Sequence, residues 1–142
     1  RNLRDMSRLK VPVVVSIVGE GGSGGALGLA IGDSILMQEF AIYSVIPPEG
    51  CAAILWRDSN QKVEAAKALK ISAPELLELG VVDTIINEPC GGAHADQNQA
   101  AVLVDKVLSA TLDELDRDSI ETRLAKRYEK FRRMGNVGLS NS

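Results

Sequence analysis

The stretch Val11-Pro-Val-Val-Val-Ser-Ile-Val-Gly-Glu-Gly-Gly-Ser-Gly-Gly-Ala26 decides the fold of this chain. Residues 13–18 are almost uniformly apolar and β-branched, which predicts a strand buried on both faces. A glycine run, residues 19–25, follows the strand, and residues 26–31 predict a short helix. Glycine backbone can approach a ligand closely, and the free N–H groups of a helix start favour an anion or a developing oxyanion. We therefore predict a functional site here, although the run alone does not identify a reaction.

Length and composition are those of an ordinary globular protein. The 142 residues make one domain or part of a larger one, and the net charge of −3 offers no basic surplus for nucleic acid. No apolar run reaches the roughly 20 residues that a membrane span requires. The sequence has one histidine and two cysteines, Cys51 and Cys90, without a CxxC motif. Neither a zinc site built by this chain alone nor a disulfide framework is therefore expected.

Helical and strand patterns alternate along the chain. The spacing of Leu3, Met6 and Leu9 predicts an opening helix, and the start without Met suggests a piece of a longer polypeptide. Further strands are predicted at residues 34–38, 41–46 and 81–86. Further helices are predicted at residues 51–56, at 60–70 with Asn60 as the cap, and at 73–79 behind the capping box Ser72-Ala-Pro-Glu75. This alternation predicts an α/β fold with parallel strand pairing.

The C-terminal third is predicted to be helical throughout. From residue 96 onward the apolar spacing is helical, and a last charged helix has an apolar stripe of Ile120, Leu124, Tyr128 and Phe131. Such a stripe must pack against something, and the charged helix around it fits either a solvated surface or a subunit contact. The organisation expected is a core over residues 1–95, a helical extension over 96–134 and a flexible tail over 135–142.

A dinucleotide-binding fold is one interpretation of the glycine run. Gly19, Gly21 and Gly24 satisfy the pattern G-x-G-x-x-G after a strand, and Glu39 follows about 20 residues later, where an acidic residue binds a ribose. The helix after the run is short for a crossover helix, and no second βαβ unit follows. These departures count against this interpretation.

A serine hydrolase or protease is a second interpretation. Ser23 lies in the pattern G-x-S-x-G between a strand and a helix, and His94 is the one histidine that could serve as its base. Asp83 or Asp96 could orient that histidine. A small residue among four glycines also has a purely steric explanation, and a loop histidine commonly has a structural one.

Three segments together resemble a known family. They are Gly19-Glu-Gly-Gly-Ser-Gly-Gly-Ala-Leu27, Tyr43-Ser-Val-Ile-Pro-Pro-Glu-Gly-Cys-Ala-Ala-Ile-Leu-Trp56 and Glu88-Pro-Cys-Gly-Gly-Ala-His94. The chain resembles the alpha subunits of acetyl-CoA carboxylase carboxyltransferase from its first helix to about residue 133. The second segment is long and unusual, whereas the glycine run alone indicates only the broader crotonase-like superfamily.

The resemblance implies a crotonase-like fold, a spiral of ββα units with additional C-terminal helices. It also implies transfer of a carboxyl group from carboxybiotin, borne by a separate biotin carboxyl carrier protein, to acetyl-CoA, which gives malonyl-CoA for fatty acid synthesis. The implied partner is a beta subunit with a zinc ribbon, in an alpha2beta2 heterotetramer of the bacterial cytoplasm or the plastid stroma. Because the family is a heterotetramer, the resemblance also implies that the extension of residues 96–134 lies at a subunit interface. No metal and no covalently bound cofactor are implied for this chain.

The same resemblance assigns roles to residues of the glycine run. It implies that the amides of Gly24 and Gly25 stabilise an oxyanion, while Gly21, Gly22 and Ser23 let the loop approach carboxybiotin. Gly50 and Cys51 would line the same pocket. Hydratases of the superfamily have an acidic residue where this chain has Ala26-Leu-Gly28, which argues against hydratase chemistry. Because the upstream half of the family's site is absent, this piece alone is expected to be inactive.

Overall fold

The computed structural model describes residues 2–135. After α1 (Asn2–Met6), two ββα units follow each other along the chain. The first consists of β1 (Val14–Ile17), β2 (Glu20–Gly22) and α2 (Ser23–Leu29), and the second of β3 (Ser34–Gln38), β4 (Ile42–Ser44) and α3 (Pro48–Trp56). A 3-10 turn (Ser59–Gln61) then leads to α4 (Lys62–Leu69), α5 (Ala73–Glu78), β5 (Thr84–Ile86), α6 (Gln97–Leu115) and α7 (Ile120–Arg133).

The strands form two separate parallel sheets. The larger has the order β1-β3-β5, with Val14 opposite Ser34 and Gln38 opposite Ile86. The smaller pairs β2 with β4, so that the glycine-rich strand lies beside the strand containing Tyr43. The predicted α/β class and its parallel pairing are confirmed.

The core lies between the larger sheet and α5. The buried members of this cluster are Ile17, Ile35, Met37, Ala41, Ala73, Leu76 and Val82. β3 is the central strand, and residues 35–38 are all buried, as a strand covered on both faces requires. A smaller cluster of Cys51, Ala52 and Ala65 joins α3 to α4.

Several predicted boundaries were wrong by a few residues. The first helix ends at Met6 instead of continuing through Leu9. The first strand is Val14–Ile17 and the strand predicted at 41–46 is Ile42–Ser44. The strand predicted at 81–86 begins only at Thr84. The N–H groups of Val81 and Val82 donate to the Leu76 carbonyl in the last turn of α5, so they are not available to the sheet. The predicted strand at residues 34–38 is confirmed at both ends.

Helix starts also differed from prediction. The helix predicted from Asn60 is α4, which begins at Lys62, after the 3-10 turn. The capping residue is Asp58 instead of Asn60: the Asp58 side chain accepts the N–H of Asn60 at the start of the 3-10 turn. The helix predicted from residue 51 begins at Pro48, since proline suits the first helical turn. The Ser72–Glu75 capping box is confirmed.

The C-terminal helices are both present. The Asp96 side chain caps α6 by accepting the N–H of Gln99. On α7, two arginines are the buried side chains, Arg123 and Arg127. The tail predicted to be flexible, residues 135–142, lies outside the described residues except for Gly135. Within the described range, no helix is both long and apolar enough to span a bilayer.

Candidate functional site

The glycine run contains a strand that the sequence did not predict. After β1 the chain turns at Gly19, whose φ of +76° lies in the left-handed region. Residues Glu20–Gly22 then form β2, and α2 begins directly at Ser23 instead of at residue 26. A run of glycines gives no alternating side-chain signal, and this is why the strand was missed.

Ser23 has an unusual backbone conformation. Its φ is +58°, a left-handed value that costs a non-glycine residue about 1 to 2 kcal/mol. This strain lies at the junction of β2 and α2, the point at which the sequence predicted a site. Strained residues persist only where the surrounding structure holds them in place.

Gly24 and Gly25 lie open at the first turn of α2. Both are exposed, and a Cβ atom built on either would meet no atom within 4 Å. The first N–H groups of a helix have no partner within the helix. The backbone at these two residues is therefore free to donate to a ligand that approaches from solvent.

Tyr43 holds the glycine run from the neighbouring strand. Its hydroxyl donates to the Ala26 carbonyl at 2.8 Å. A Cβ on Gly21 would lie only 2.8 Å from Tyr43 Cδ2 and 3.3 Å from Ile17 Cγ2, so glycine is required there for packing. Burial raises the pKa of the Tyr43 phenol above its ordinary value of 10.0. The sequence pattern indicated no role for this tyrosine.

A cavity of about 350 Å³ lies beside the run. Gly21, Gly22 and Gly25 line it, together with residues in or directly after β1, α2 and β4, which include Val18, Ala26, Ala30 and Tyr43. Three of the predicted site glycines thus border one cavity, whereas Ser23 and Gly24 do not line it. Such a cavity is large enough for a small ring or acyl group.

Gly50 and Cys51 belong to the first turn of α3. A Cβ on Gly50 would lie 3.2 Å from Ile46 Cγ1, so this glycine lets the turn pack tightly. The N–H of Cys51 donates to the Pro47 carbonyl at 3.0 Å, and its side chain is buried against α4. Their role in a pocket stays a prediction.

The structure does not assemble a hydrolase site. Among the described residues, no hydrogen bond joins Ser23 to His94. The two proposed acids have structural partners: Asp83 accepts from the Ile35 N–H and from Lys130, and Asp96 caps α6. Both Ser23 and His94 are exposed.

Glu39 and Glu88 form a structural link between the ends of β3 and β5. Glu39 Oε2 accepts the N–H of Glu88 at 3.3 Å. Glu88 in turn accepts the N–H groups of Phe40 and Ala93, at 3.0 and 2.7 Å. The carboxylate that a dinucleotide site would use thus holds the loop of residues 88–94 in place. No pattern in the sequence indicated this role of Glu88.

No metal centre is formed by the described part of the chain. Within residues 2–135, no group of three or more histidine, cysteine, aspartate or glutamate side chains is arranged to hold an ion. Cys51 and Cys90 are both free thiols.

Solved structures resemble this fold at low sequence identity. A Pseudomonas malonate decarboxylase hetero-tetramer in complex with coenzyme A matches with a TM-score of 0.67 and 16% identity, over 92% of this chain and 54% of that one. An enoyl-CoA hydratase/isomerase from Marinobacter aquaeolei matches with a TM-score of 0.53 and 19% identity, over 96% of this chain and 50% of that one. These likenesses confirm the predicted crotonase-like fold.

Sequence relatives are much closer. An acetyl-coenzyme A carboxylase carboxyl transferase subunit alpha from Acaryochloris marina is 54% identical over 134 residues, which are 94% of this chain and 41% of the relative. The protein of the same name from Pyropia yezoensis is 55% identical over 134 residues, again 94% of this chain and 41% of the relative. The chain therefore spans about two fifths of the length of these curated relatives.

A family model covers nearly the whole chain. The sequence model described as "Acetyl co-enzyme A carboxylase carboxyltransferase-like" matches residues 1–135. This range includes the glycine run, the α3 segment and the loop of residues 88–94, the three segments on which the resemblance was based. The chain belongs to the acetyl co-enzyme A carboxylase carboxyltransferase-like family.

Proposed function

We propose that this chain is part of the alpha subunit of an acetyl-CoA carboxylase carboxyltransferase and contributes the site that receives carboxybiotin. The reaction moves a carboxyl group from carboxybiotin to acetyl-CoA and yields malonyl-CoA. The observation that supports it most is the open backbone at Gly24 and Gly25, next to a cavity of about 350 Å³, in a member of this family.

The chemistry requires donors for negative charge on oxygen. The N–C bond of carboxybiotin breaks, and charge develops on the ureido oxygen. The methyl group of acetyl-CoA loses a proton to the freed ureido nitrogen, and the resulting enolate carbon bonds to the released carboxyl carbon. Every atom is accounted for without a side-chain base from this chain. The amides of Gly24 and Gly25 stabilise the charged oxygen, and each fixed donor contributes about 3 to 4 kcal/mol to the transition state.

The remaining glycines have supporting roles in this proposal. Gly21 and Gly22 have no side chains, so they leave space in the cavity that they line. Ser23 orients the first turn of α2 through its left-handed backbone. Gly50 and Cys51 are proposed to line the pocket from α3. Ser23 acts through its backbone and not as a nucleophile.

The proposed partners follow from the reaction. They are a beta subunit with a zinc ribbon, which binds the CoA thioester, and a biotin carboxyl carrier protein. We propose an alpha2beta2 assembly in the bacterial cytoplasm or the plastid stroma. The extension of residues 96–134 supplies part of the subunit contact. In support, Ile120 and Tyr128 on the α7 stripe are 43% and 64% exposed in the part of the chain that the structure describes.

The test is the reverse reaction, carboxylation of free biotin at the expense of malonyl-CoA, by the full-length protein assembled with its beta partner. Gly24→Pro deletes one amide donor and is expected to lower kcat about 100-fold or more. Gly24→Ala keeps the N–H group, and its Cβ meets open space, so it is the matched control and should retain activity. Gly25→Pro repeats the test at the neighbouring amide.

Ser23→Ala separates this proposal from the hydrolase alternative. Carboxyl transfer should survive Ser23→Ala, because the side chain is not required. If biotin is never carboxylated while an ester probe is hydrolysed, and Ser23→Ala abolishes that hydrolysis, the carboxyltransferase proposal is overturned. Circular dichroism of each variant establishes that the fold is retained.

A further inference from the structure

A groove runs along the carboxyl edge of the larger sheet, next to the glycine run. Two cavities of about 640 and 420 Å³ share Val18, Gln38 and Ala93 in their walls, so they form one continuous groove. One end lies under the loop of residues 88–94, and the other follows the apolar face of α6. Ligands of open α/β sheets commonly bind at this edge.

Gln38 is the unusual residue of the groove. It ends β3 and is only 3% exposed, yet its side chain makes no hydrogen bond in the described structure. Every fully buried side-chain nitrogen or oxygen among the described residues has a partner. The Gln38 amide atoms are therefore not sealed in the core, and they meet open space at the groove. A ligand in the groove that pairs with this nearly buried amide would supply the hydrogen bonds that the protein leaves unmade.

The walls of the groove define the chemistry of that ligand. Val18 and Phe40, 60% and 64% exposed, offer apolar surface at its rim. No lysine or arginine lines either cavity, and Glu88 is already engaged by two backbone N–H groups. Among the lining residues, Glu88 and Asp105 are acidic and His94 is the one that can become cationic, so a phosphate or carboxylate would meet two carboxylates and no permanent cation. A neutral polar group on an aliphatic chain fits instead.

The geometry of a carboxamide selects among neutral polar groups. Gln38 presents an N–H donor and a C=O acceptor on the same edge. A cyclic urea or lactam presents the complementary pair on one edge, because its N–H and C=O are held cis by the ring. The trans amides of a peptide or a pantetheine chain place the two groups on opposite sides and can make only one of the two bonds.

We infer that Gln38 is the polar anchor of a binding site for a cyclic ureido ring on an aliphatic chain, a second position for the ring beside the glycine run. Val18 lines both this groove and the glycine cavity, so the two positions adjoin. A ring carboxylated on one nitrogen keeps an N–H and C=O edge at the other nitrogen and can still pair with Gln38. The identification of that ring with biotin rests on the proposed function.

Binding, not activity, tests this inference. Biotin methyl ester is titrated into the full-length protein with the Gln38 side-chain amide observed by NMR, and we expect saturable shifts of its NH₂ signals. Gln38→Leu keeps the size and removes both bonds, and should weaken binding about fivefold or more. Gln99→Leu, an exposed glutamine of α6 that lines neither cavity, is the matched control and should bind normally.

Two further ligands sharpen the result. 2-Imidazolidinone should shift the same signals, whereas its N,N-dimethyl derivative, which keeps the C=O acceptor and lacks the N–H donor, can make only one of the two bonds and should bind more weakly. Equal binding by wild type and Gln38→Leu, an absence of saturable binding by any ureido probe, or stronger binding by pantetheine would each overturn the inference. Carboxylation of biotin is assayed separately. If carboxyl transfer is observed but ureido probes do not bind at Gln38, the groove site is rejected and the proposed function stands.

Discussion

Arg127 of α7 and Asp33, just before β3, form a bidentate ion pair in the protein interior. Arg127 Nε and Nη2 lie 2.8 and 2.6 Å from the two Asp33 carboxylate oxygens, and the side chains are 2% and 3% exposed. The same carboxylate accepts the N–H of Val13 at 2.8 Å. The guanidinium also donates to the carbonyls of Met6, Ser7, Leu9 and Val11. One arginine thus joins the last helix to the segment before β1.

Removing this arginine should strongly destabilise the protein. Arg127→Met leaves the Asp33 carboxylate buried without its partner, and we expect the free energy of unfolding to fall by about 3 to 5 kcal/mol. Urea unfolding followed by circular dichroism measures the change. Lys126→Met is the matched control, because Lys126 is 67% exposed and its pair with Asp118 contributes about 1 kcal/mol or less. Equal losses in the two variants would contradict a special role for the buried pair.

The α7 helix shows which part of the fold the sequence could predict. Helical spacing correctly indicated a helix, and Leu124 and Phe131 are partly buried in this chain. The same reasoning missed Arg123 and Arg127, which are the buried residues of the helix. Periodicity counts apolar side chains, whereas these arginines are buried because backbone carbonyls distant in sequence surround their guanidinium groups.

The candidate site likewise has features that the sequence predicts and features that only the structure shows. Glycine content predicted the position of the open amides, because that depends on backbone freedom alone. The contacts that hold the run, above all from Tyr43 and Glu88, depend on strands and loops that meet only in three dimensions. Gln38 was predicted as the end of a strand, but nothing in one sequence marks its amide as unpartnered.

The two sides of the glycine run should respond differently to a methyl group. Gly21→Ala places a Cβ within 2.8 Å of the Tyr43 ring and should lower the free energy of unfolding by about 1 to 3 kcal/mol. The Cβ of Gly24→Ala would lie in open space, so this variant should change the free energy of unfolding by less than about 1 kcal/mol. Thermal unfolding of both variants tests this. A larger loss for Gly24→Ala would mean that the run is packed otherwise.

Tyr43 should impose a pH dependence on stability in the alkaline range. Burial raises its pKa above 10.0 in the folded state, so the unfolded chain ionises first as the pH rises. The contribution of the neutral Tyr43 phenol to the free energy of unfolding is therefore fully present below pH 10, and it is lost as the pH rises from 10 through the folded pKa. Tyr43→Phe should remove that part of the pH dependence and, at neutral pH, lose about 1 kcal/mol with the bond to Ala26.

The exposed Tyr128 provides the comparison for Tyr43. It is 64% exposed, and at neutral pH Tyr128→Phe should change the free energy of unfolding by less than about 0.5 kcal/mol, in contrast to the loss expected for Tyr43→Phe. Chemical unfolding between neutral pH and pH values above 10, monitored by circular dichroism, gives the profiles of the wild type and of Tyr43→Phe. If the Tyr43→Phe profile keeps the same slope as the wild type above pH 10, another group is responsible for the dependence.

Glu88 should set the local stability of the loop that covers the groove. Glu88→Gln keeps one acceptor oxygen but turns an NH₂ group toward the N–H of either Phe40 or Ala93, so one bond becomes a repulsive contact. Hydrogen bonds to a charged group contribute about 1.5 to 3 kcal/mol. We therefore expect the Phe40 and Ala93 amides to exchange with solvent at least about tenfold faster, because local opening determines their exchange.

A matched variant distinguishes this link from a general loss of charge. Glu78 is exposed at the end of α5, and Glu78→Gln removes the same charge without touching the loop. Exchange at Phe40 and Ala93 should then remain at the wild-type rate. Unchanged exchange in Glu88→Gln would show that the loop is held by other contacts. Faster exchange confined to residues 88–94 and Phe40 would show that one carboxylate fixes the wall of the groove beside Gln38, since both cavities share that wall at Ala93.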